Sequence, residues 1–583
     1  MNLRKLLILS LLMTVASLVS SQSRIIRLTT DYRTNPLGID NPRPRLSWII
    51  TSEQMNTMQE AYQIRAAVSE KDLLKGRNLV WESGEIATPA SIHVRYGGPP
   101  LKSFQRICWQ VRIRDNHGKS SKWSEVAWFE TGFMPGTDWK AGWIAPAWEE
   151  DPRRSMPSPY LRKEFIAAKE ISEARLYISS HGLYQAEING KRVGDRQFTP
   201  GWTSYNKRLQ YQVYDVSALL QKGNNAIGIV LGDGWYRGFL AWEENRNAWG
   251  RELSAIAQVM ITYADGSREV VVTDESWKAA TGPILESDIY NGELYDARKE
   301  EAGWSRTGFD DSGWTGVKAA GESLGKLIAT EGPPVRITEE LEPVSISKRD
   351  EGWLVDMGQN MVGWIRIRAA GTAGDRIILR HAEVLDREGN MYYDNLRVAR
   401  ATDTYILKGG GEETLEPHFT FHGFRYVMVS GYPGELTADR IRGMVIHSDM
   451  EPAGTFTCSD PLVNQLQHNI LWGLKGNFLD VPTDCPQRDE RLGWTGDAQV
   501  FAPTACFNMN AATFYRKWLK DLAADQREDG RVPDVIPNML RGGGCTGWSD
   551  ASVIIPWVVY LDYGDVSVLE NQYESMKKWI GYM

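Results

Sequence analysis

The chain has 583 residues, 42% hydrophobic and 24% charged, with a formal net charge of −8 at pH 7. One hydrophobic core stops growing near about 250–300 residues, so this length implies several domains, about three to five. Discounting Arg4 and Lys5 takes the charge to −10 (−8 minus 2), which disfavours nucleic acid as a partner and leaves a neutral or cationic ligand.

Residues 1–21, MNLRKLLILSLLMTVASLVSS, combine a basic start, an apolar run from Leu6 to Val19 and a small-residue exit. That pattern is an export signal, so a periplasmic or secreted protein is expected; no later stretch reads as an integral membrane segment. The five cysteines, Cys108, Cys458, Cys485, Cys506 and Cys545, are an odd number without zinc-site spacing. Buried free thiols are the expectation, with one bridge among the last four left open.

From 24 to 135, short alternating runs such as ICWQVRIRD, where Val111 and Ile113 alternate with Arg112 and Arg114, predict an antiparallel sandwich of the fibronectin type III or immunoglobulin kind. A second β-rich stretch, 138–326, carries Asn189-Gly190, a pair suited to a type I′ hairpin. A third, 334–449, has WIRIRAAG and RIILRHAEV as its clearest strands. Both are expected to be sandwiches.

The period changes near 452. SDPLVNQLQHNILWGL starts with a cap-like Ser459 and Pro461, and Leu462, Leu466, Ile470 and Leu474 recur every four residues. In the next helical run Phe514, Trp518 and Leu522 share a face, with Gly530 expected to close the helix. The last helix reads as amphipathic through Leu569, Tyr573, Met576 and Ile580. Residues 452–583 are therefore expected to be all-helical, with room for about five or six helices.

Between two of these helices lies DVPTDCPQRDERLGWTGD, residues 480–497. Pro482 and Pro486 stiffen it, and Gly493 and Gly496 are expected to let the chain turn tightly around Trp494. Asp484, Asp489, Glu490 and Asp497 cannot all be buried and ionised together, so one is expected to stay protonated near neutral pH, as a general acid must. A tryptophan beside carboxylates on a fixed loop reads as a saccharide subsite. The rival reading has Arg488 and Arg491 neutralising a surface ion network, Asp497 capping the next helix and Trp494 filling a core gap.

The fourteen residues DCPQRDERLGWTGD (Asp484 to Asp497) resemble the signature loop of the bacterial α-L-rhamnosidases of glycoside hydrolase family seventy-eight. GWSDASVIIPW, GLYQAEINGKRVGD, PGWTSYNKRLQYQVYDV, LGDGWYRG and VDMGQNMVGWIRI are similar to that family too, so the resemblance runs through nearly all of the chain after its first 21 residues. It implies a multidomain fold: β-sandwich domains, the second lectin-like (138–326) and the third concanavalin-like (334–449), followed by the first part of an all-α (α/α)6 toroid (452–583).

The implied chemistry is inverting hydrolysis of terminal α-L-rhamnose from an oligo- or polysaccharide, with an acid and a water-activating base about 6.5–9.5 Å apart and no metal in the step. Carried over by motif, Glu490 is the general acid, preferred over its neighbour Asp489. It is expected to stand uncharged in a tryptophan-lined hollow. Asp484 and Asp497 hold rhamnose hydroxyls, Arg488 joins the binding set, and Trp494 and Trp548 are aromatic subsite residues.

The family's base is a glutamate late in the toroid, expected beyond Met583, and none of Asp534, Asp550 and Glu574 is given that part. Residues 1–583 alone are accordingly expected to be inactive or unstable, the front part of an intact enzyme or the product of a broken reading frame. No cofactor is required; calcium is a candidate in the lectin-like unit, where Asp195, Asp233, Trp202 and Trp235 are candidate surface residues. Two other readings are a non-catalytic saccharide-binding protein and a toroid hydrolase for another terminal sugar.

Overall fold

The alternation in ICWQVRIRD becomes strand Arg106–Asp115 in a computed structural model of the chain. Val111 and Ile113 are buried, while Arg112 faces solvent and Arg114 pairs with Glu60 and Glu85. The structure describes residues 23–134, 137, 139–242, 245–321 and 326–583. The expected export segment lies outside the described residues. No helix among them is long and apolar enough to cross a membrane.

Two compact units divide the chain, residues 1–138 and 139–583. In the first, Arg106–Asp115 pairs antiparallel with Gln59–Ala67 in a five-stranded sheet, and Arg24–Thr30, Arg45–Thr51 and Val94–Arg95 form a three-stranded one. Trp48, Ile64, Trp109 and Phe129, all at most 1% exposed, fill their shared core. This is the expected immunoglobulin-like sandwich.

The second unit contains a twelve-stranded and a ten-stranded sheet. Strands Leu183–Ile188 and Lys191–Arg192 pair across Asn189 and Gly190, which take φ of 52° and 77°. Both turn residues at positive φ match the right-handed twist of the strands, as the Asn-Gly pair predicts. Strand Gly352–Ala370 runs through the ten-stranded sheet. Hairpin Ile284–Asp288/Gly292–Asp296 joins that sheet by parallel pairing with Thr402–Ile406. Its turn, residues 289–291, is thereby placed beside the acid loop.

Five helices follow: α1 (Pro461–Asn477), α2 (Thr495–Asn508), α3 (Ala512–Asp525), α4 (Ala551–Tyr563) and α5 (Val566–Tyr582). Phe514, Trp518 and Leu522 of α3 are at most 1% exposed and join one apolar core that runs from Trp202, in the loop before strand Leu209–Asp215, to Trp579 of α5.

Local details differ from the sequence reading. Asp460, not Ser459, caps α1, accepting from the Leu462 N–H at 2.8 Å. An aspartate in extended backbone offers the first turn a charged acceptor that a serine one residue earlier cannot place. Leu462 and Leu466 stand 78% and 58% exposed, so of the expected stripe only Leu474 is fully buried. Helix α3 ends at Asp525 rather than at Gly530; Gly530 instead approaches α5, where an added Cβ would lie 2.3 Å from the Lys578 carbonyl oxygen. On α5 the buried positions are Val568, Gln572, Ser575 and Trp579, while Tyr573 and Ile580 face outward. All five cysteines are free; Cys108, Cys485 and Cys506 are buried and the other two exposed.

The four residues proposed for the surface of the lectin-like stretch do not form one site. Trp202 and Trp235 are 0% and 2% exposed and stack on each other at 5.5 Å. Asp233 is equally buried and bound by Arg237 and Arg246, and only Asp195 reaches solvent, paired with Arg336. Indoles consumed by core packing and a carboxylate already neutralised by two guanidinium groups do not fit an exposed calcium or sugar site.

Candidate active site

The acid loop is shaped by its own backbone. Asp484 N–H donates to the Leu492 carbonyl at 3.1 Å, and Leu492 N–H returns to Asp484 Oδ1 at 2.9 Å, closing residues 484–492 into a clasp. Gly493 and Gly496 serve close approach rather than tight turning, since neither has positive φ. A Cβ on Gly493 would stand 2.0 Å from the Ile536 carbonyl oxygen, and one on Gly496 would press the Trp548 ring at 3.1 Å. Gly493→Ala is therefore expected to lower stability by about 1–3 kcal/mol, because backbone must move to admit the methyl. Gly496→Ala should cost less, because a ring edge yields more easily; urea unfolding of both variants checks the order.

Arg491 ties the clasp to the β units. It is 2% exposed, with φ of 48°. Its guanidinium donates to four carbonyls, those of Ile289 (3.0 Å), Phe421 (2.9 Å), Gln487 (3.0 Å) and Arg488 (3.1 Å). Tyr290 and Phe421 sit against its planar faces, and the Tyr290 hydroxyl donates to the Glu490 carbonyl.

Glu490 is 8% exposed. Trp494 Nε1 donates to its Oε1 at 3.2 Å, and Arg488 donates to Oε2 at 3.1 Å. Arg397, from the stretch between strands Arg376–Ala382 and Thr402–Ile406, places Nη2 3.2 Å from the same Oε2. The sequence reading expected Glu490 to stand in a tryptophan-lined hollow; the structure sets Trp494 against it and adds two guanidinium groups. It does keep Glu490 out of bulk solvent and beside both Asp484 and Trp494.

Beside this layer opens a cavity of about 600 Å³, lined by Asp484, Asp497 and Trp548 with Ile470, Phe478 and Phe501 as apolar wall. Glu490, Trp494 and Arg488 do not line it but stand one layer behind, joined to it through Asp484, whose Oδ2 is 3.6 Å from Arg488 Nη2. That Oδ2 is buried, with no donor at hydrogen-bond distance by geometry. Trp548 is 42% exposed, a cavity wall rather than core filling. Asp489 is buried, with its carbonyl oxygen accepting from Arg397 at 3.3 Å.

Burial pushes Asp484, Asp489 and Asp497 above the ordinary carboxylate range, and the neighbouring Glu490 charge adds to each. At these three aspartates charge crowding therefore adds to the effect of burial. Of the later carboxylates, Asp550 accepts from Trp579 Nε1 and Gly547 N–H, and Glu574 is exposed beside Lys577.

Two groupings among the described residues bring potential metal ligands together. His381, Asp403 and His422 are fully buried, but the two imidazoles stack at 4.2 Å with 23° between their planes, so their lone pairs run side by side instead of converging. Asp484, Cys485 and Glu490 form the other; burial, then Asp484, pushes the Cys485 thiol up to about 12, and Arg488 and Arg397 already compensate the glutamate.

Trp242, whose ring lies 6.4 Å from that of Trp494, Tyr290 and Arg397 all reach this site from the β-rich stretches. None was singled out in the sequence. The run MYYDNLRVAR around Arg397, aromatic and charged yet between two strands, is the one available signal.

β-Sandwiches opening into paired helices, with an acid-bearing clasp after the first helix, define a six-hairpin glycosidase architecture. Family models match four successive stretches: the Rha78A-like N-terminal immunoglobulin domain (25–135), the α-L-rhamnosidase N-terminal domain (169–339), the bacterial α-L-rhamnosidase concanavalin-like domain (346–447) and the bacterial α-L-rhamnosidase 6 hairpin glycosidase domain (451–583). An α-L-rhamnosidase of Streptomyces avermitilis is 36% identical over 732 residues, covering 97% of this chain and 71% of that protein. One of Formosa agariphila is 39% identical over 577 residues, covering 97% of this chain and 62% of its own length. The crystal structure of the Streptomyces avermitilis α-L-rhamnosidase complexed with L-rhamnose superposes with a TM-score of 0.93 at 35% identity, over 96% of this chain and 71% of that one. The chain belongs to the bacterial α-L-rhamnosidase family.

Proposed function

We propose that the protein acts on terminal α-L-rhamnosides of oligo- or polysaccharides, with Glu490 as the general acid. The observation that carries this reading is a solvent-shielded carboxyl held from three sides, one layer behind a cavity whose lining includes the carboxylates of Asp484 and Asp497. In this reading Asp484 and Asp497 take sugar hydroxyls, Arg488 and Trp494 orient Glu490, and Trp548 with Phe501 and Ile470 forms the apolar wall that a 6-deoxy sugar's methyl group needs. Glu490 protonates the departing glycosidic oxygen while a second carboxylate, given to no residue of this chain, draws a proton from water on the opposite face; the C–O bond to the leaving group breaks as the water oxygen bonds to the anomeric carbon. The engagements of Asp550 and the exposure of Glu574 support giving neither that part. The leader-like residues 1–21 support export to the periplasm or medium.

The test is time-resolved NMR of 4-nitrophenyl α-L-rhamnoside with the purified chain, alongside calorimetric titration with L-rhamnose. Inversion predicts β-L-rhamnose as the first product. Initial release of the α-anomer would overturn the inverting mechanism, and rhamnose binding with no bond cleavage, persisting when a relative's later toroid helices are appended, would favour a saccharide-binding protein.

A further inference from the structure

Arg397 sits at a backbone conformation that few side chains tolerate, φ 56° and ψ −118°, directly after the short turn Asp394–Leu396. Residues in such conformations persist where their surroundings over-determine them, and they cluster at functional sites. Here the surroundings are visible: Leu396, Ala399 and Ala401 are 2%, 5% and 1% exposed, and the Ala401 N–H donates to the Tyr290 carbonyl at 3.1 Å. Both flanks of the arginine are therefore pinned, and its side chain is aimed at the acid loop.

That side chain bridges two adjacent residues. Nη1 donates to the Asp489 carbonyl at 3.3 Å and lies 3.8 Å from Asp489 Oδ1, while Nη2 stands 3.2 Å from Glu490 Oε2. Arg488 reaches the same Oε2 with Nε and Nη2, both at 3.1 Å. Oε1 receives only the neutral Trp494 indole N–H. Two cations on one oxygen disfavour a proton there. The charged groups around Glu490 are then Arg397 from the β stretch, and Asp484, Arg488, Asp489 and Asp497 from its own loop and the first turn of α2.

We propose that Arg397 is a positioning residue for the reaction: with Arg488 it clamps Glu490 Oε2, so that the transferable proton resides on Oε1 and the carboxyl is held in one rotamer. This inference rests on reading Glu490 as the general acid. A planar fork can hold the Asp489 carbonyl and Glu490 Oε2 at once, whereas a lysine ammonium is a single point on a flexible stem.

The test compares Arg397→Ala and Arg397→Lys with wild type and Glu490→Gln on 4-nitrophenyl and methyl α-L-rhamnoside, together with a crystal structure of Arg397→Ala. Nitrophenolate departs without help, whereas methoxide needs the proton. Arg397→Ala should lose about 10–100-fold more kcat/KM on the methyl glycoside than on the nitrophenyl one, the scale expected for a misplaced catalytic group. Lysine should restore little of that difference. In the crystal, Glu490 should rotate and break its contact with Trp494. Equal losses on both substrates, as a general folding defect gives, would overturn the proposal, as would an unmoved carboxyl. Should Glu490→Gln itself show no leaving-group difference, the acid assignment falls. Should that variant show the difference and Arg397→Ala not, only the positioning role falls. If wild type turns over neither glycoside, the position of the Glu490 carboxyl in the variant crystal decides.

Discussion

Glu490→Gln is expected to reduce hydrolysis of alkyl α-L-rhamnosides by about 10²–10⁴-fold, the usual contribution of a positioned general acid, while sparing much of the activity on nitrophenyl rhamnoside. An amide has no proton to give at neutral pH, so the loss follows the basicity of the leaving group. The substitution also changes the hydrogen-bond count. Trp494, Arg488 and Arg397 all direct N–H groups at the carboxylate. A carboxylate offers two acceptor oxygens and an amide one, so with the amide oxygen kept toward the guanidinium groups the NH2 would face the Trp494 indole N–H. A modest loss of stability is therefore expected beside the kinetic one, and circular dichroism separates the two. Rhamnose binding should survive, because Asp484, Asp497 and Trp548 are untouched; an unchanged rate on alkyl rhamnosides would remove Glu490 from the chemistry.

Arg491→Ala is expected to be the most damaging single substitution in the loop. Four carbonyl oxygens lose this donor at once, that of Ile289 keeping the Thr420 hydroxyl, and each buried acceptor left without a partner costs about 1–3 kcal/mol. Even with water entering the gap, a loss on the order of 4 kcal/mol is a large share of a total of about 5–15 kcal/mol. Arg491→Lys should recover only part, since an ammonium has three donors for four acceptors and lacks the planar faces that Tyr290 and Phe421 cover. Thermal unfolding and soluble yield report the effect. A change under about 1 kcal/mol for Arg491→Ala would mean the carbonyls find other partners and the clasp does not depend on this side chain.

What the sequence made legible is the switch from period two to period four and the chemical content of residues 484–497. Helices α1 to α5 fall where apolar residues recur, and Phe514, Trp518 and Leu522 are buried as their spacing requires. The face of α5 was misread because polar residues occupy the packed side. There the Ser575 carbonyl accepts from Gln526, and Trp579 donates to Asp550. Hydrophobicity alone cannot weigh such bonds. The site was legible as a set of side chains within one loop but not as an arrangement. Arg397 and Tyr290 lie 93 and 200 residues from Glu490 (490 − 397 and 490 − 290), and no periodicity links positions brought together by the hairpin at 284–296 and a strained turn. The surroundings of Glu490 were incompletely legible for the same reason, since one of its two guanidinium partners comes from that distance.

The grip of Ile289, Tyr290 and Phe421 on residues 490 and 491 bears on how such proteins diversify. Crossing over near residue 450, where the last strand gives way to the first helix, would part the proton donor from the carbonyls and hydroxyl that shape its backbone. Chimeras between distant relatives should tolerate exchange of the helical portion together with the concanavalin-like stretch and the 284–296 hairpin more readily than exchange of the helical portion alone. Inheritance in this lineage is then expected to move the β scaffold and the acid together.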